Sequence, residues 1–436
     1  MSSRVALSRV DEFAAAVSGR LAPDQVLDAQ VARFAVDGMV PDLAVEPAGT
    51  DELAACLAEA DAAGVSVIPL GGGTHAAAAN VPEGYDIAVS LGRMDAVLDH
   101  EPADLTVTVQ AGLTLNALQR TLAAHGQFLP LDPPGDAARM TVGGVLASDA
   151  SGPSRHAYGT ARDWLIGARV VHADGAVSKA GGRVVKNVAG YDMNKLYIGS
   201  LGTLAVIAEA TFKVAPLPKT EATAVIACDS PHGVATLLLA AADAGLALRA
   251  AELLSPPAAD RVLGEHRWCA MARVGGGPGA VDRTLRELHE LAAGLHGAFA
   301  IRETATAWEA WSSAFAPASL TLRVAVLPSQ VADAVELLDR RFIGSGAMLS
   351  ATLAAGVVRA QLEPTREVRA RVLLERARGV AQRFGGHVRV DAAPPTVKRE
   401  IDVFAPVRPE YGVMQRLKQE FDPRRRLSPG RFAGRM

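Results

Sequence analysis

The chain has 436 residues, of which 49% are hydrophobic and 21% charged. At about 150 residues per domain, this length predicts two or three domains. The 44 Lys and Arg residues against 47 Asp and Glu residues give a formal net charge of −3, and only 5% of the residues are aromatic. These proportions exclude a disordered or collagen-like chain, and they argue against the basic surface and stacking aromatics of a nucleic-acid-binding protein.

The cysteine content and the apolar segments predict a reducing compartment. Cys56, Cys228 and Cys269 are odd in number, far apart and without a C-x-x-C pair, so neither a disulfide framework nor a metal site is expected. The N-terminus lacks the apolar core of a signal peptide, and no segment reaches the roughly 20 apolar residues of a membrane span. We therefore expect a cytoplasmic protein that contacts the inner face of a membrane only through partners.

Strands and helices are predicted to alternate after an N-terminal helical segment at residues 1–40. A strand at Leu43–Val45 precedes a helix that is predicted to be capped by Thr50 and to end at Gly64. The apolar run Val65–Leu70 is typical of a buried strand. Further strands are predicted at Ile87–Leu91, Leu105–Gln110, Ile166–His172 and Leu204–Val214. Pro216-Leu217-Pro218 then predicts a domain boundary, so that residues 41–216 form one domain.

The next segment predicts the order β-α-β-β-α-β twice, which is the order of a ferredoxin-like fold. The first half has strands Ala222–Ala227, Leu248–Leu254, Trp268–Val274 and Phe299–Glu303; the second has Leu320–Leu327, Ala347–Leu353, Val357–Leu362 and His387–Val390. Pro394-Pro395 ends this second domain, at residues 217–395. The tail, residues 396–436, is predicted to pack back on the first domain. Its basic run Arg424-Arg425-Arg426 is typical of a solvated surface, and docking to a partner is the alternative.

A glycine-rich loop follows the predicted strand Val65–Leu70, with the sequence Pro69-Leu70-Gly71-Gly72-Gly73-Thr74-His75. Glycines allow the backbone to approach a diphosphate closely, and successive N–H groups in such a turn form an anion-binding nest. A tight turn without a ligand uses the same residues. The spacing is that of neither a G-x-G-x-x-G fingerprint nor a P-loop.

Two further segments are rich in small residues. Asp132-Pro133 precedes Thr141-Val142-Gly143-Gly144 and Ser148-Asp149-Ala150-Ser151, whose hydroxyls could donate to phosphate oxygens. The alternative for this segment is a closely packed Gly/Ala turn in a core. Ser200-Leu201-Gly202-Thr203-Leu204-Ala205-Val206-Ile207 is a glycine turn that leads into an apolar strand, and its alternative is a buried edge turn.

In this order and spacing, the three segments resemble the FAD-binding domain of the vanillyl-alcohol oxidase / p-cresol methylhydroxylase (PCMH) superfamily. The matching family runs are P-x-G-G-G-T, T-V-G-G…S-G and G-S-x-G-T-L-G-V-I, where this chain has Ala205 for a glycine. Tyr158-Gly159 with Asp163 matches Y-G-x-x-x-D, and the tail matches D-P…L-N-P-G-K with Ser428 for Asn. The resemblance implies an α+β fold: a two-subdomain PCMH-type FAD-binding domain followed by a cap of two ferredoxin-like halves.

The run from Gly181 to Asp192 is similar to G-G-R-V-x-K-N-V-A-G-Y-D in the FAD-binding subunit of bacterial glycolate oxidase. This resemblance implies a subunit of a complex that oxidises glycolate to glyoxylate. The implied partners are a catalytic FAD subunit and an iron–sulfur subunit, which pass the electrons onward. The implied cofactor is FAD, held non-covalently, although a histidine near the glycine loop attaches FAD covalently in some family members.

The resemblance also assigns the candidate cofactor-binding residues, which lie in the three segments and at the Tyr158-Gly159 step. They are Pro69, Leu70, Gly71, Gly72, Gly73, Thr74, His75, Asp132, Pro133, Thr141, Val142, Gly143, Gly144, Ser148, Asp149, Ala150, Ser151, Gly159, Gly202, Thr203, Leu204, Val206 and Ile207.

No catalytic residue is assigned, because the H-x-G-D-G-N-x-H and E-H-G-I-G runs of catalytic family members are missing. The nearest counterpart, Gly385–Val390, contains His387 but lacks the Asp-Gly-Asn step and the second histidine. One alternative is a self-sufficient FAD-dependent 2-hydroxy-acid dehydrogenase that binds its substrate through Arg323, Arg359 or Arg389. Another is a non-catalytic scaffold that has lost FAD. The sequence leaves open whether the acid is glycolate, D-lactate or another short 2-hydroxy acid.

Overall fold

The computed structural model describes residues 8–182, 191–295, 297–302, 304–364, 366–406 and 409–436. Most of the run Gly181–Asp192 lies outside the described residues. The strands are β1 (Val26–Leu27), β2 (Leu43–Val45), β3 (Val67–Leu70), β4 (Ile87–Ser90), β5 (Val97–Glu101), β6 (Thr106–Gln110), β7 (Gln127–Phe128), β8 (Leu165–Val171), β9 (Val177–Gly181), β10 (Val206–Lys213), β11 (Ala215–Pro216), β12 (Thr220–Cys228), β13 (Leu248–Leu254), β14 (Trp268–Gly276), β15 (Ala298–Arg302), β16 (Leu320–Ala325), β17 (Met348–Thr352), β18 (Val357–Leu362) and β19 (His387–Ala392). The helices are α1 (Arg9–Val17), α2 (Thr50–Ala63), α3 (Leu115–Ala123), α4 (Val142–Ser148), α5 (Arg155–Tyr158), α6 (Ala161–Trp164), α7 (Asn194–Tyr197), α8 (Pro231–Asp243), α9 (Pro256–Leu263), α10 (Pro278–Gly294), α11 (Thr304–Ala314), α12 (Val331–Arg341), α13 (Glu367–Arg383), α14 (Pro395–Glu400) and α15 (Tyr411–Phe421).

The first half of the chain contains two principal sheets. The smaller one has the order β1-β2-β4-β3, and β2, β4 and β3 are parallel within it. The larger one has the antiparallel order β5-β6-β10-β8-β9. Because β3 and β4 are parallel, their carboxyl ends lie at the same edge, and the glycine loop leaves the sheet at that edge, directly after Leu70.

The second half forms one eight-stranded sheet with the order β15-β12-β14-β13-β17-β18-β16-β19. Each group of four has the strand order 4-1-3-2 of a ferredoxin-like fold, and the two groups run in mirror order. They join where β13 pairs with β17, at Leu253 with Ala351 and Leu254 with Ser350. The predicted pair of ferredoxin-like halves is confirmed, and the two halves share one continuous sheet.

Two large hydrophobic cores follow this division. One is built from side chains between Phe13 and Val214, and the other from side chains between Ala224 and Val403. Leu427, close to the C-terminus, belongs to the first core. The tail therefore returns to the first half, where the Val67 N–H donates to the Arg426 carbonyl at 2.8 Å and the Ser428 N–H donates to the Val67 carbonyl at 2.8 Å.

The predicted solvated surface is confirmed for Arg424 and Arg425, which are exposed, whereas Arg426 is half-buried. Arg424 pairs with Asp61 at 2.9 Å, and Arg426 donates to the Gly64 carbonyl at 2.8 Å. Both partners lie at the C-terminal end of α2. The guanidinium groups of Arg424 and Arg426 therefore make contacts within the chain, near the carbonyl groups at the end of a helix, which favour cations.

Several elements differ from the sequence prediction. Gly49, not Thr50, is the N-cap of α2, and the Thr50 hydroxyl donates to Glu209 at 3.0 Å instead. Helices α9 and α11 were not predicted. The segment before residue 41 is only partly helical, since β1 joins the smaller sheet. Among the described helices, none is long and apolar enough to cross a membrane.

Candidate functional site

The glycine loop packs closely against the segment that precedes α4. A Cβ atom on Gly71 would lie 2.0 Å from the Thr141 hydroxyl, and one on Gly72 would lie 1.7 Å from the Arg139 carbonyl oxygen. Gly73 has a φ of +73° and nothing within 4 Å of its Cβ position. The first two glycines are thus required by close contact with the neighbouring backbone and side chain, and the third by its left-handed conformation.

The loop leaves its backbone donors available. The N–H groups of residues 71–75 donate no hydrogen bond to any residue that the structure describes, although these residues line a cleft. Unpaired backbone N–H groups are costly unless water or a ligand accepts from them. Successive free N–H groups in a turn attract anions such as a diphosphate.

The second segment forms the short helix α4, which lies against the cleft. Thr141 is the N-cap of α4 and accepts from the Gly144 N–H at 3.2 Å, while the Ser148 hydroxyl donates to the Gly144 carbonyl at 2.7 Å. A Cβ on Gly143 would lie 2.8 Å from the Cβ of Ala111, so this glycine allows α4 to approach the strand region closely. Ser148 lines the cleft with its proton directed to the Gly144 carbonyl, and its role toward a phosphate stays a prediction.

The third segment meets the first one and the tail. Gly202 has a φ of +68°, and a Cβ there would lie 2.6 Å from Pro69 Cγ and 3.5 Å from the Ser428 hydroxyl. Three stretches that are distant in sequence therefore converge beside the carboxyl end of β3.

Arg431 is a cleft residue that the sequence analysis missed. Its guanidinium donates to the Ala76 carbonyl, just after the glycine loop. Its Nη1 is buried and has no hydrogen-bond partner among the described residues. Burial lowers the pKa of Arg431, with Asp37 opposing that shift. The signal was present, since Arg431 follows Pro429-Gly430 at the lysine position of the L-N-P-G-K run.

The cleft encloses about 760 Å³ of free space, part of which is open to solvent. Most of the predicted cofactor residues line it: Pro69, Leu70, Gly71, Gly72, Gly73, Thr74, His75, Thr141, Gly143, Gly144, Ser148, Gly202, Val206 and Ile207. Sequence reasoning missed the remaining residues that line it, which are Ile68, Ala76, Leu91, Ala147, Leu201, Ala205 and Arg431.

The other candidates lie outside the lining of this cleft. Val142 and Ala150 belong to the first hydrophobic core, and Asp149 ends α4 with a φ of 49°. Thr203 and Leu204 line a groove along α15. Gly159 lies in a turn beside Asp163. Asp132 and Pro133 line a second cavity, and the Ser151 carbonyl faces the cap.

Three cap arginines meet the end of α4. Arg323 is paired in register with Arg359 on β18 and with Arg389 on β19. Arg389 donates to the Ser148 carbonyl at 2.7 Å, and Arg359 donates to the Ser151 carbonyl at 2.5 Å. Arg389 and Arg359 therefore attach the eight-stranded sheet to the first half of the chain.

Asp391 partly balances these cations, because Arg323 Nε lies 2.8 Å and Arg389 Nε 3.2 Å from its carboxylate oxygens. Burial opposes ionisation of Asp391, but Arg323 and Arg389 together lower its pKa. Burial also lowers the pKa of Arg389 to about 10, and Arg323 adds to that shift.

His75 connects the glycine loop with this arginine cluster. Its Nδ1 lies 3.1 Å from the Thr74 hydroxyl. Burial lowers the pKa of His75 to about 4; Asp391 opposes this shift, and Arg323 and Arg389 add to it. His75 is therefore neutral at pH 7, as suits a group that faces several cations.

Residues 41–181 match the family model described as an FAD binding domain. Over 184 residues the chain is 34% identical to the glycolate oxidase subunit GlcD of Bacillus subtilis, covering 42% of this chain and 39% of GlcD. Over 123 residues it is 37% identical to the glycolate oxidase subunit GlcE of Escherichia coli, covering 28% of this chain and 35% of GlcE. It is also 33% identical to a D-2-hydroxyglutarate dehydrogenase of Xanthomonas citri, covering 52% of this chain and 48% of that protein. In each case the match spans less than half of the relative's length.

Two solved structures share the fold over nearly the whole chain. p-Cresol methylhydroxylase matches with a TM-score of 0.74 and 13% identity, covering 99% of this chain and 98% of the other. The 4-ethylphenol oxidase of Gulosibacter chungangensis matches with a TM-score of 0.72 and 15% identity, covering 99% and 98%. These matches confirm the PCMH-type α+β fold. The family match confirms that the glycine loop and α4 lie within an FAD-binding domain.

Proposed function

We propose that this chain is the FAD-binding subunit of a glycolate oxidase (glycolate dehydrogenase) complex, which oxidises glycolate to glyoxylate and passes the electrons onward through partner subunits. The observation that carries the proposal is the row of free N–H groups at residues 71–75, which lines a cleft inside an FAD-binding domain. Similarity to the glycolate oxidase subunits GlcD and GlcE supports glycolate as the substrate.

The residues of the cleft fit a dinucleotide diphosphate. The N–H groups of residues 71–75 and the buried Nη1 of Arg431 are donors that lack partners among the described residues, and both would bind phosphate oxygens. When bound, FAD supplies an acceptor for the two electrons that leave a 2-hydroxy acid. The apolar side chains of Leu91, Val206 and Ile207 would exclude water from the cofactor.

The proposed partners are a catalytic FAD subunit and an iron–sulfur subunit, assembled in the cytoplasm or at the inner face of the membrane. The missing catalytic runs support a division of labour. His387, the residue nearest to a catalytic histidine in sequence, is exposed at the beginning of β19. In this arrangement, hydride removal from the α-carbon takes place mainly in the catalytic partner.

A self-sufficient 2-hydroxy-acid dehydrogenase is the second candidate. The convergence of Arg323, Arg359 and Arg389 on the end of α4 favours it, because guanidinium groups bind carboxylates. Similarity to a D-2-hydroxyglutarate dehydrogenase is in keeping with it. All three guanidinium groups already hold carbonyl or carboxylate oxygens of this chain, however, and this favours a structural role.

The proposed domain organisation has an N-terminal segment at residues 1–40, an FAD-binding domain at residues 41–216, a cap at residues 217–395 and a C-terminal tail at residues 396–436. The separate hydrophobic cores on either side of Pro216 support the first cap boundary. The contacts of Arg426 and Ser428 with Val67 and its neighbours support a tail that packs on the FAD-binding domain.

An absorbance spectrum of the purified chain, recorded before and after anaerobic glycolate, tests the proposal. We expect a flavin spectrum that stays oxidised with the chain alone and bleaches when the catalytic and iron–sulfur partners are added. Acid precipitation should release the flavin into the supernatant, because it is held non-covalently.

Two other results would contradict the proposal. Bleaching by glycolate without partners would assign a complete dehydrogenase to this chain. Stably folded, colourless protein that takes up no added FAD would support a scaffold that has lost its cofactor.

A further inference from the structure

A second cavity, which encloses about 610 Å³ of free space and is also partly open to solvent, lies between the FAD-binding domain and the cap. Its walls come from residues 115–153 on one side and residues 273–312 on the other. It lies next to the cleft, because residues 131–140 line the cavity whereas residues 141–148 line the cleft. The predicted cofactor residues Asp132 and Pro133 belong to this cavity.

Arg273 is the cation that lines the cavity, and its ion pair with Asp132 is long. Its guanidinium stacks on the ring of Trp308 at 4.5 Å. Its Nη1 lies 3.9 Å from Asp132 Oδ2, beyond hydrogen-bond distance, and its buried Nε has no hydrogen-bond partner in the described part of the chain. A guanidinium held flat against an aromatic ring is preorganised to bind a planar carboxylate.

Asp132 is already satisfied by other donors. The Ser154 N–H donates to both of its carboxylate oxygens, at 3.0 and 3.1 Å, and the Ser154 hydroxyl donates to Oδ2 at 2.7 Å. Asp132 therefore does not need Arg273 as a hydrogen-bond partner. An incoming anion can therefore bind the Arg273 guanidinium while Asp132 keeps its hydrogen bonds from Ser154.

The other walls are mainly apolar. Leu115, Leu131 and Met140 line the cavity, and the indole N–H groups of Trp308 and Trp311 point to Thr223 and Ser350 at 3.0 and 2.9 Å. A ligand thus meets the ring surfaces and not their donors. Apolar walls around one cation suit a short organic acid, whose carboxylate pairs with the guanidinium while its carbon atoms meet the walls.

We infer that this cavity binds a short-chain monocarboxylate of the glycolate class and that Arg273 is its carboxylate partner. The cavity, the single weakly paired cation and the apolar walls carry the inference. The choice of a 2-hydroxy acid rests on the proposed function.

Isothermal titration calorimetry of the purified chain with glycolate and with D-lactate tests this site, and tryptophan fluorescence reports on Trp308 and Trp311. We expect saturable binding that is lost with neutral glycolamide and weakened about tenfold or more in Arg273→Met, because a charge-assisted hydrogen bond is removed. Arg249→Met is the matched control. Arg249 also stacks on an aromatic ring, Phe128 at 4.9 Å, but does not line the cavity.

Arg273→Lys serves if Arg273→Met does not fold; it keeps the charge but loses the planar fork, and we expect weaker binding. Wild-type protein without saturable carboxylate binding, or Arg273 variants with unchanged affinity, would overturn the inference. Flavin content measured on the same samples separates the two proposals. Bound flavin without carboxylate binding defeats only this site, and carboxylate binding without flavin uptake defeats only the proposed function.

Discussion

At the scale of single residues, Gly73 offers the cleanest test of the glycine loop. Valine at Gly72 would collide with the Arg139 backbone, so loss of FAD there would not separate binding from folding. Gly73 has open space at its Cβ position and lines the cleft. A valine there projects into the region where the diphosphate is proposed to bind, and we expect Gly73→Val to weaken FAD binding about tenfold or more. Flavin fluorescence titration of the apoprotein measures this.

Gly126→Val is the matched control for that substitution. Gly126 has a φ of +67° and nothing within 4 Å of its Cβ position, but it lies away from the cleft. Both valines carry the same left-handed strain, which costs about 1–2 kcal/mol per residue. Equal FAD affinities in the two variants would show that the loop does not hold the diphosphate.

The lowered pKa of His75 predicts that the protein loses stability in acid. Its pKa of about 4 in the folded protein lies below its ordinary value. The unfolded chain therefore takes up a proton below about pH 6.5, whereas the folded chain takes it up only near pH 4. Above that pH range both states hold His75 neutral, and its titration does not change the stability. As the pH is lowered through the range, the free energy of unfolding falls, by about 2–3 kcal/mol between pH 7 and pH 4.5.

Urea unfolding of wild-type protein and His75→Gln at pH 7 and pH 4.5 measures this difference. The variant should lose about 2–3 kcal/mol less than wild type over that interval. His266→Gln, at a histidine whose side chain is 81% exposed, should follow the wild-type protein. If all three proteins lose the same free energy, the surroundings of His75 do not lower its pKa.

At the scale of the elements, the contacts between β18, β19 and the end of α4 attach the cap. Arg389 donates to the buried Ser148 carbonyl at 2.7 Å, and Asp391 keeps Arg323 as a partner if Arg389 is removed. Arg389→Met should therefore cost about 1.5–3 kcal/mol, the usual worth of a hydrogen bond to a charged group. Chemical denaturation followed by circular dichroism measures the change.

Arg376→Met is the control for this substitution. Arg376 makes the same kind of bond, to the Arg341 carbonyl at 2.9 Å, but it does so on the exposed outer face of the cap. It should change the free energy of unfolding by about 0.5 kcal/mol or less. An Arg389 variant as mild as this control would mean that the cap is held mainly by other contacts.

Periodic elements could be predicted from the sequence, and close approaches between elements could not. Strands such as Leu43–Val45, Leu248–Leu254 and Val357–Leu362 were predicted with their observed bounds, because each is a short and mainly apolar run. Helix α11 was missed because its pattern of alanine and tryptophan gives weak periodicity. The role of Gly143, which is contact with Ala111, depends on a long-range approach that no local pattern encodes.

The candidate site shows the same limit. The glycine loop was located correctly because its signal is local, whereas Arg431 lies more than 350 residues from Ala76 in sequence and reaches the cleft only through the path of the tail. Ser148 shows that a local pattern does not reveal the partner of a side chain. Its hydroxyl was available in the sequence, but helix formation gave it the Gly144 carbonyl as a partner.

At the scale of the whole molecule, a buried lysine fixes the chain where it leaves the cap and returns to the cleft. Lys398 in α14 pairs with Asp37 at 2.5 Å and donates to the carbonyls of Ala77 and Ala79 at 3.0 and 3.1 Å. Burial lowers the pKa of Lys398, and Asp37 opposes that shift. Since Ala77 lies two residues after the glycine loop, this one side chain of the tail connects the N-terminal segment with the backbone beside the cleft.

Removing this lysine should therefore affect both stability and cofactor binding. Lys398→Met leaves the Asp37 carboxylate buried with its ion-pair partner gone, which costs about 3–5 kcal/mol. It also frees the backbone after the glycine loop, so we expect weaker FAD binding.

The double variant Asp37→Asn/Lys398→Met removes the stranded charge and should recover a large part of the lost stability, because a buried pair replaced as a whole is often close to neutral. FAD affinity should stay reduced in the double variant, since Ala77 and Ala79 still lack their donor. Chemical denaturation and flavin titration of the three proteins separate these effects. Full recovery of FAD affinity along with stability would show that Lys398 supports the fold alone and does not position the loop.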